Sequence, residues 1–211
     1  AVAPTSPVVA LSSGVANGAT SAEATASTGV VTVTAETGSS VGVTFTGASG
    51  VVTKSVAGNG ATPVAVLLTS GDLTTLGDGL VTVSSSAMDL AGNSSVIGVK
   101  TFTLDTQAPS APSIALAADT GSSSSDGVTS NGLVNVSGLE SGATWQYSVD
   151  SGTTWTNGSG TSFTLASGVH AINSVQVRET DAAGNVSSVA QNAAAITVDA
   201  VAPTSPVFAL G

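Results

Sequence analysis

The run Leu80-Val-Thr-Val-Ser-Ser-Ser-Ala-Met88 places Val81, Val83 and Ala87 on one parity and Thr82, Ser84 and Ser86 on the other, and then stops at Asp89-Leu-Ala-Gly-Asn93. A period of two residues puts these sets on opposite faces of a strand, and Asp, Gly and Asn supply turn chemistry at its end. Behind the turn, Lys100 to Leu104 reads as one more strand, closed by Asp105. The same device returns later, where Ser174 to Thr180 leads into Asp181-Ala-Ala-Gly-Asn-Val-Ser187 and the following strand is closed by Asp199. The chain therefore reads as two subtypes of one repeat, with different middle sections.

Beyond each closing acid lies a proline stretch. Asp105-Thr-Gln-Ala-Pro-Ser-Ala-Pro112 is matched by Asp199-Ala-Val-Ala-Pro-Thr-Ser-Pro206 and, without the Asp, by Ala1-Val-Ala-Pro-Thr-Ser-Pro7. Proline fixes φ and extends the residue before it, so each copy reads as a semi-rigid linker. Short apolar strand starts follow at Val8–Leu11, Ser113–Leu116 and Val207–Leu210. These joints divide the 211 residues into a first domain at 1–105, a second at 106–199, and the start of a further repeat at 200–211. Each full domain has the size of an immunoglobulin-type sandwich.

The first domain shows strand-like runs at 30–35, 41–46, 51–57, 64–68, 80–87 and 100–104, and the second at 113–117, 133–137, 145–149, 154–157, 162–165, 174–180 and 193–198. They are rich in Val and Thr and separated by Gly, Asn and Ser. A single helical turn is expected from Thr69 to Leu76, with Ser70 as its N-cap. Elsewhere no period of 3.6 residues persists, so the expected class is all-β, two tandem Greek-key sandwiches joined end to end.

Composition narrows the function. Thirteen acidic residues against three basic ones give a net charge of −10, which disfavours nucleic acid and anionic membranes and favours cation binding and a soluble monomer. No Cys is present and His170 is the sole histidine, which removes disulfides, thiolate metal sites and Cys-His catalysis. No apolar run reaches membrane-spanning length, and the first residues lack the layout of a secretory signal.

The acids carry the chemistry. Asp89 follows a long strand, Asp105 ends the last one, and Asp119 and Asp126 lie in the loop beyond the linker, so domains stacked end to end would gather all four at one joint. Calcium takes six to eight oxygen ligands, and it would turn a repulsion of ~4 kcal/mol per close carboxylate pair into a brace. Taken singly, each Asp is better read as a solvated turn residue, and it is the set at the joint that favours calcium. Trp145 and Tyr147 share one strand face, either as core or as a platform for sugar. Ser148-Val-Asp-Ser-Gly-Thr-Thr-Trp155 fits a hairpin-shaping Asp-box, which is structural. No paired carboxylates flank an evident cleft, so an enzyme is not expected.

The order D-x-A-G-N, exit Asp, A-P-x-x-P, then D-T-G-x-x-x-x-D resembles the bacterial Ig-like repeats of giant surface adhesins of the repeats-in-toxin and biofilm-associated type, across essentially the whole chain. That resemblance implies an extracellular, non-catalytic extender at the bacterial cell surface. Its partners would be neighbouring repeats of the same polypeptide and Ca2+. Carried over by position, Asp89, Asp105, Asp119 and Asp126 would ligate calcium at the central joint, and Asp181 and Asp199 would form half of the next. The competing reading is a carbohydrate- or ligand-binding module using Trp145, Tyr147 or Trp155.

Overall fold

The computed structural model describes residues 2–208, and its regular structure is almost entirely β. The chain divides into two compact units, residues 2–107 with Ala182–Asn185, and Ala108–Asp181 with residues 186–208.

In the first unit the strands are β1 (Val8–Leu11), β2 (Val31–Thr34), β3 (Ser40–Thr46), β4 (Val51–Ala57), β5 (Val64–Val66), β6 (Gly79–Met88) and β7 (Gly98–Leu104). They form two antiparallel sheets, β1-β2-β5 and β4-β3-β6-β7. Alternation decides what each buries: Val31 and Val33 from one sheet meet Val41, Val43, Phe45, Val81, Val83 and Ala87 from the other in a single cluster. Two sheets sharing one core are a sandwich, and the opposite parity of β3 and β6 carries Thr44, Thr46, Thr82, Ser84 and Ser86 outward.

Two short helices close its loops, α1 (Ser21–Ala24) and α2 (Ser70–Leu76). The helical turn expected at 69–76 forms, but Thr69 caps it in place of Ser70. Its hydroxyl accepts from the Asp72 N–H at 3.3 Å while the Asp72 carboxylate accepts from the Thr69 N–H at 2.7 Å. The acid three residues after Thr69 decides the cap, because only that spacing closes a capping box. Asp72 is also ion-paired with Lys54 at 2.6 Å. The same box, Thr20 with Glu23, starts α1, a helix that the sequence reading did not expect.

In the second unit the strands are β8 (Ser113–Leu116), β9 (Val128–Thr129), β10 (Leu133–Ser137), β11 (Thr144–Ser148), β12 (Thr156–Asn157), β13 (Ser162–Thr164), β14 (Gly168–His170), β15 (Gln176–Thr180), β16 (Ala190–Gln191) and β17 (Ile196–Val198). Their sheets are β13-β10-β8, β12-β11-β15-β16 and β14-β17-β9, the last containing a parallel β17–β9 pair. Val134, Val136, Trp145, Phe163, Leu165, Val175, Val177 and Val198 make one core from all three.

Of the strand expected over 193–198 only β17 (Ile196–Val198) forms, and β16, which precedes the expected span, lies in a different sheet. Asn192, buried at the break, holds the switch: its side chain accepts from Val175 N–H and donates to the carbonyls of Ala171 and Ala194. Strands β9, β14 and β16 were not expected, since runs of two or three residues show no period. The expected strand at 207–210 lies partly outside the described residues; Val207 and Phe208 are exposed and in no strand.

Candidate functional site

The serine that follows the repeated turn makes the same three hydrogen bonds in both units. In the first, Ser95 N–H donates to Ala87 O at 2.8 Å while its hydroxyl accepts from Ala87 N–H and donates to Val96 O, each at 2.9 Å. In the second, Ser187 N–H donates to Glu179 O at 2.9 Å, and its hydroxyl accepts from Glu179 N–H at 3.0 Å and donates to Ser188 O at 2.9 Å. Ala87 and Glu179 are thus structural equivalents, and both are completely buried.

Asp89 spends its carboxylate on its own turn. Oδ1 accepts from the N–H groups of Ala91 and Asn93, and Oδ2 from the Asn93 side chain at 2.8 Å. The Asn93 side-chain amide, joined by these backbone donors, holds the Asp89 carboxyl below its usual range. Glu36 shares its groove of about 300 Å³.

Asp89 and Asp105 are not brought together. Gly79 pairs with Leu104 at one end of the β6–β7 ladder, whereas Asp89 follows Met88 at the other. The ten residues of β6 separate them by about 30 Å at ~3.4 Å per residue, so they cannot share one ion. Asp105 Oδ1 accepts from Gln107 N–H at 3.2 Å, and its own N–H donates to Ala19 O. Nearby, Asp78, which the sequence reading overlooked, accepts from the N–H and hydroxyl of Thr106 at 2.9 Å each.

The second unit repeats this separation. From its bridge with Thr180, Val186 starts a path back along β15 to the Gln191–Gln176 pair and onward through β17, so Asp181 and Asp199 also lie at opposite ends. Asp119 and Asp126 do not lie where residues 108–112 enter the unit, as the stacked-joint expectation required. The chain first crosses the sheet as β8, from Ser113 opposite Ser137 to Leu116 opposite Val134, before it turns into their loop. That loop runs alongside β17: Asp119 Oδ2 accepts from Gly127 N–H, Asp126 Oδ1 from Val128 N–H, and Gly127 O from Thr197 N–H. Asp199 N–H donates to Thr129 O beside it.

Calcium can be tested against these donors. Among the described residues no three acidic or histidine side chains converge on a point that would hold a metal. Two carboxylate oxygens of the second unit are nevertheless buried without any hydrogen-bond partner, Asp119 Oδ1 and Glu179 Oε1. Each of these is a single oxygen, short of the six to eight that calcium takes, so neither position by itself fits the ion. The burial of Glu179 was not anticipated from the sequence. Its signal lay in parity, since Val175, Val177 and Glu179 occupy the same inward face of one run.

Trp145, Tyr147 and Trp155 are each engaged by neighbouring groups of the second unit. Trp145 is 6% exposed and donates from Nε1 to Gly160 O, and Tyr147 stacks on Phe163 with ring centroids 4.3 Å apart. Trp155 is half-buried, with the Arg178 guanidinium 4.1 Å from its ring centroid. The Asp-box closes as expected: Asp150 accepts from the Thr154 hydroxyl at 2.6 Å, the Thr154 N–H and the Ser148 hydroxyl. These bonds, led by that of the Thr154 hydroxyl, pull the Asp150 carboxyl down to about 2. His170 is tied by Nε2 to Ala166 O at 3.0 Å.

No protein-family model and no curated protein matches this sequence. Solved structures with a similar course of chain include a tetra-tandem repeat in the extending region of a large adhesion protein, at 19% identity over 94% of this chain and 50% of that one, TM-score 0.37. Another is a 1.5-MDa bacterial ice-binding adhesin, at 22% identity over 80% of this chain and 56% of the other, TM-score 0.39. Fibronectin(III)-like modules of Clostridium thermocellum CbhA match at 14% identity over 96% of this chain and all of theirs, TM-score 0.42. The chain spans about half the length of the two adhesin structures.

Proposed function

We propose that this chain is a non-catalytic spacer segment of a large bacterial cell-surface adhesin, a tandem pair of Ig-like sandwiches that holds distance and direction between neighbouring repeats of one polypeptide. The observation that carries the reading is the repeated turn, in which Ser95 and Ser187 fasten the same strand-to-strand connection with the same three hydrogen bonds. A device built twice, with a proline stretch following each closing acid, is what a one-dimensional array requires. Burial of Trp145 and the stacking of Tyr147 on Phe163 speak against a sugar platform on that strand.

Calcium is part of the proposal. The acids supply hard oxygen donors, and an extracellular module needs an affinity of only roughly 10⁻⁴ to 10⁻³ M. Asp105 at the mouth of the linker is the residue proposed to transmit calcium to joint stiffness. The test is small-angle X-ray scattering of the chain in millimolar calcium and in excess chelator, repeated with Asp105→Ala. A long, well-defined maximum dimension with calcium, broadened by chelation and by the substitution, supports a braced spacer. Superimposable curves leave stiffness to the prolines and remove calcium from the reading.

A further inference from the structure

We infer that the outward face of the sheet β12-β11-β15-β16 is a binding site for a carboxylate-bearing glycan, built around Arg178 and independent of the calcium reading. It lies on the other side of β11 from Trp145 and Tyr147. Register lines up Asn157, Gln146 and Arg178 in one row across β12, β11 and β15, because Gln146 pairs with both of the others. With strands about 4.8 Å apart, the row spans about 10 Å.

The guanidinium fixes the direction of every hydrogen bond in that row, since it can only donate. Arg178 gives Nε–H and Nη2–H to Gln146 Oε1 at 3.2 and 2.9 Å. The Gln146 amide nitrogen therefore faces the other way and donates to Asn157 Oδ1 at 2.9 Å. Both amide oxygens are engaged, and what the row has left is N–H: the Asn157 amide, the second Gln146 hydrogen, both hydrogens on Arg178 Nη1 and one on Nη2. Donors grouped on a cation suit a ligand rimmed with acceptor oxygens, its carboxylate at the guanidinium. Trp155, set by the Asp-box turn, holds the guanidinium 4.1 Å from its ring centroid, so the fork is in place before any ligand arrives.

The charge is otherwise uncompensated. Among the described residues the one ion pair joins Lys54 to Asp72, and Arg178 has no acid beside it in a chain where acids outnumber bases thirteen to three. None of these strands places an acid on this face, whose remaining positions are Thr144, Ser148, Gln176, Thr180 and Gln191. An acidic peptide strand is the poorer fit, since β11 and β15 are each paired on both sides and offer it no main-chain partner. A sugar carries acceptor oxygens around its own rim and needs none.

The probe is trigalacturonate, titrated in excess chelator so that no divalent ion bridges it to the acids, with tryptophan emission and calorimetry as readouts. Saturable binding is expected, weakened by added salt and absent with a neutral galactose trisaccharide. Asn157→Asp keeps the oxygen that Gln146 needs and replaces the free donors with a negative charge, at an exposed position where folding is not at stake. That variant and Arg178→Gln should each lower the affinity about tenfold or more. Binding that Asn157→Asp leaves unchanged, equal binding of the neutral sugar, or tighter binding of pentaglutamate overturns the assignment, as does a chain that binds no trigalacturonate.

Discussion

At the scale of single residues, the two units act as controls for each other. Ser85 and Val177 stand at equivalent places on the long strands, yet Ser85 Oγ is buried without a hydrogen-bond partner. Removing a hydroxyl that was dehydrated for nothing should help, so Ser85→Ala is expected to stabilise the first unit by about 1 kcal/mol, read as a higher calorimetric midpoint. Asp150 provides the opposite case. Its folded carboxyl, at about 2, is depressed below the ordinary value. Its contribution is therefore complete above about pH 4 and disappears as pH falls through about 2. Urea unfolding of the second unit, followed by tryptophan fluorescence at pH 7 and pH 2.5, should show a loss on acidification that is smaller in Asp150→Asn.

At the scale of elements, pairing geometry decides which side chains can cooperate. A strand of ten residues puts the acid at its end far from the acid that closes its partner, which is why two aspartates flanking β7 serve opposite ends of one sheet. Close approach matters equally in the hairpin of β11 and β12. Gly158 N–H donates to Trp145 O at 2.9 Å, and a Cβ at Gly158 would collide with the Trp145 indole. Gly158→Ala should therefore push the ring from its place in the core and cost about 1–3 kcal/mol, with a red shift of tryptophan emission. An unshifted spectrum and unchanged stability would show that the hairpin yields instead. How much was legible at this scale follows from length: β3, β4, β6 and β10 were readable to within a residue because four or more positions alternate, whereas β9, β14 and β16 were not.

For the whole molecule, each unit owns a complete core drawn from its own sheets, with no aromatic residue in the first except Phe45 and Phe102. Valine, small residues and hydroxyls suffice because sandwich packing counts buried area, and β-branched side chains fill a pleated surface well. On the proposed reading as a calcium-braced spacer, Asp105→Ala is expected to change scattering dimensions in calcium while leaving both thermal transitions where they were. A transition shifted by several degrees would place Asp105 among the residues that hold the first unit together.

The amino-acid sequence determined the β class, the strand parities, the two-fold repetition of Asp-x-Ala-Gly-Asn and the turn role of Asp150, because each is encoded within a span of a few residues. Tertiary structure decided which acids are neighbours: it set Asp89 and Asp105 at opposite ends of a sheet, carried Asp119 and Asp126 to the flank of β17, and enclosed Glu179 beneath Ser187. Proximity across a sheet depends on register and strand direction, and burial of a charge depends on what covers it. Neither is a property of the local chain, and so the aspartates were visible in the sequence while their company was not.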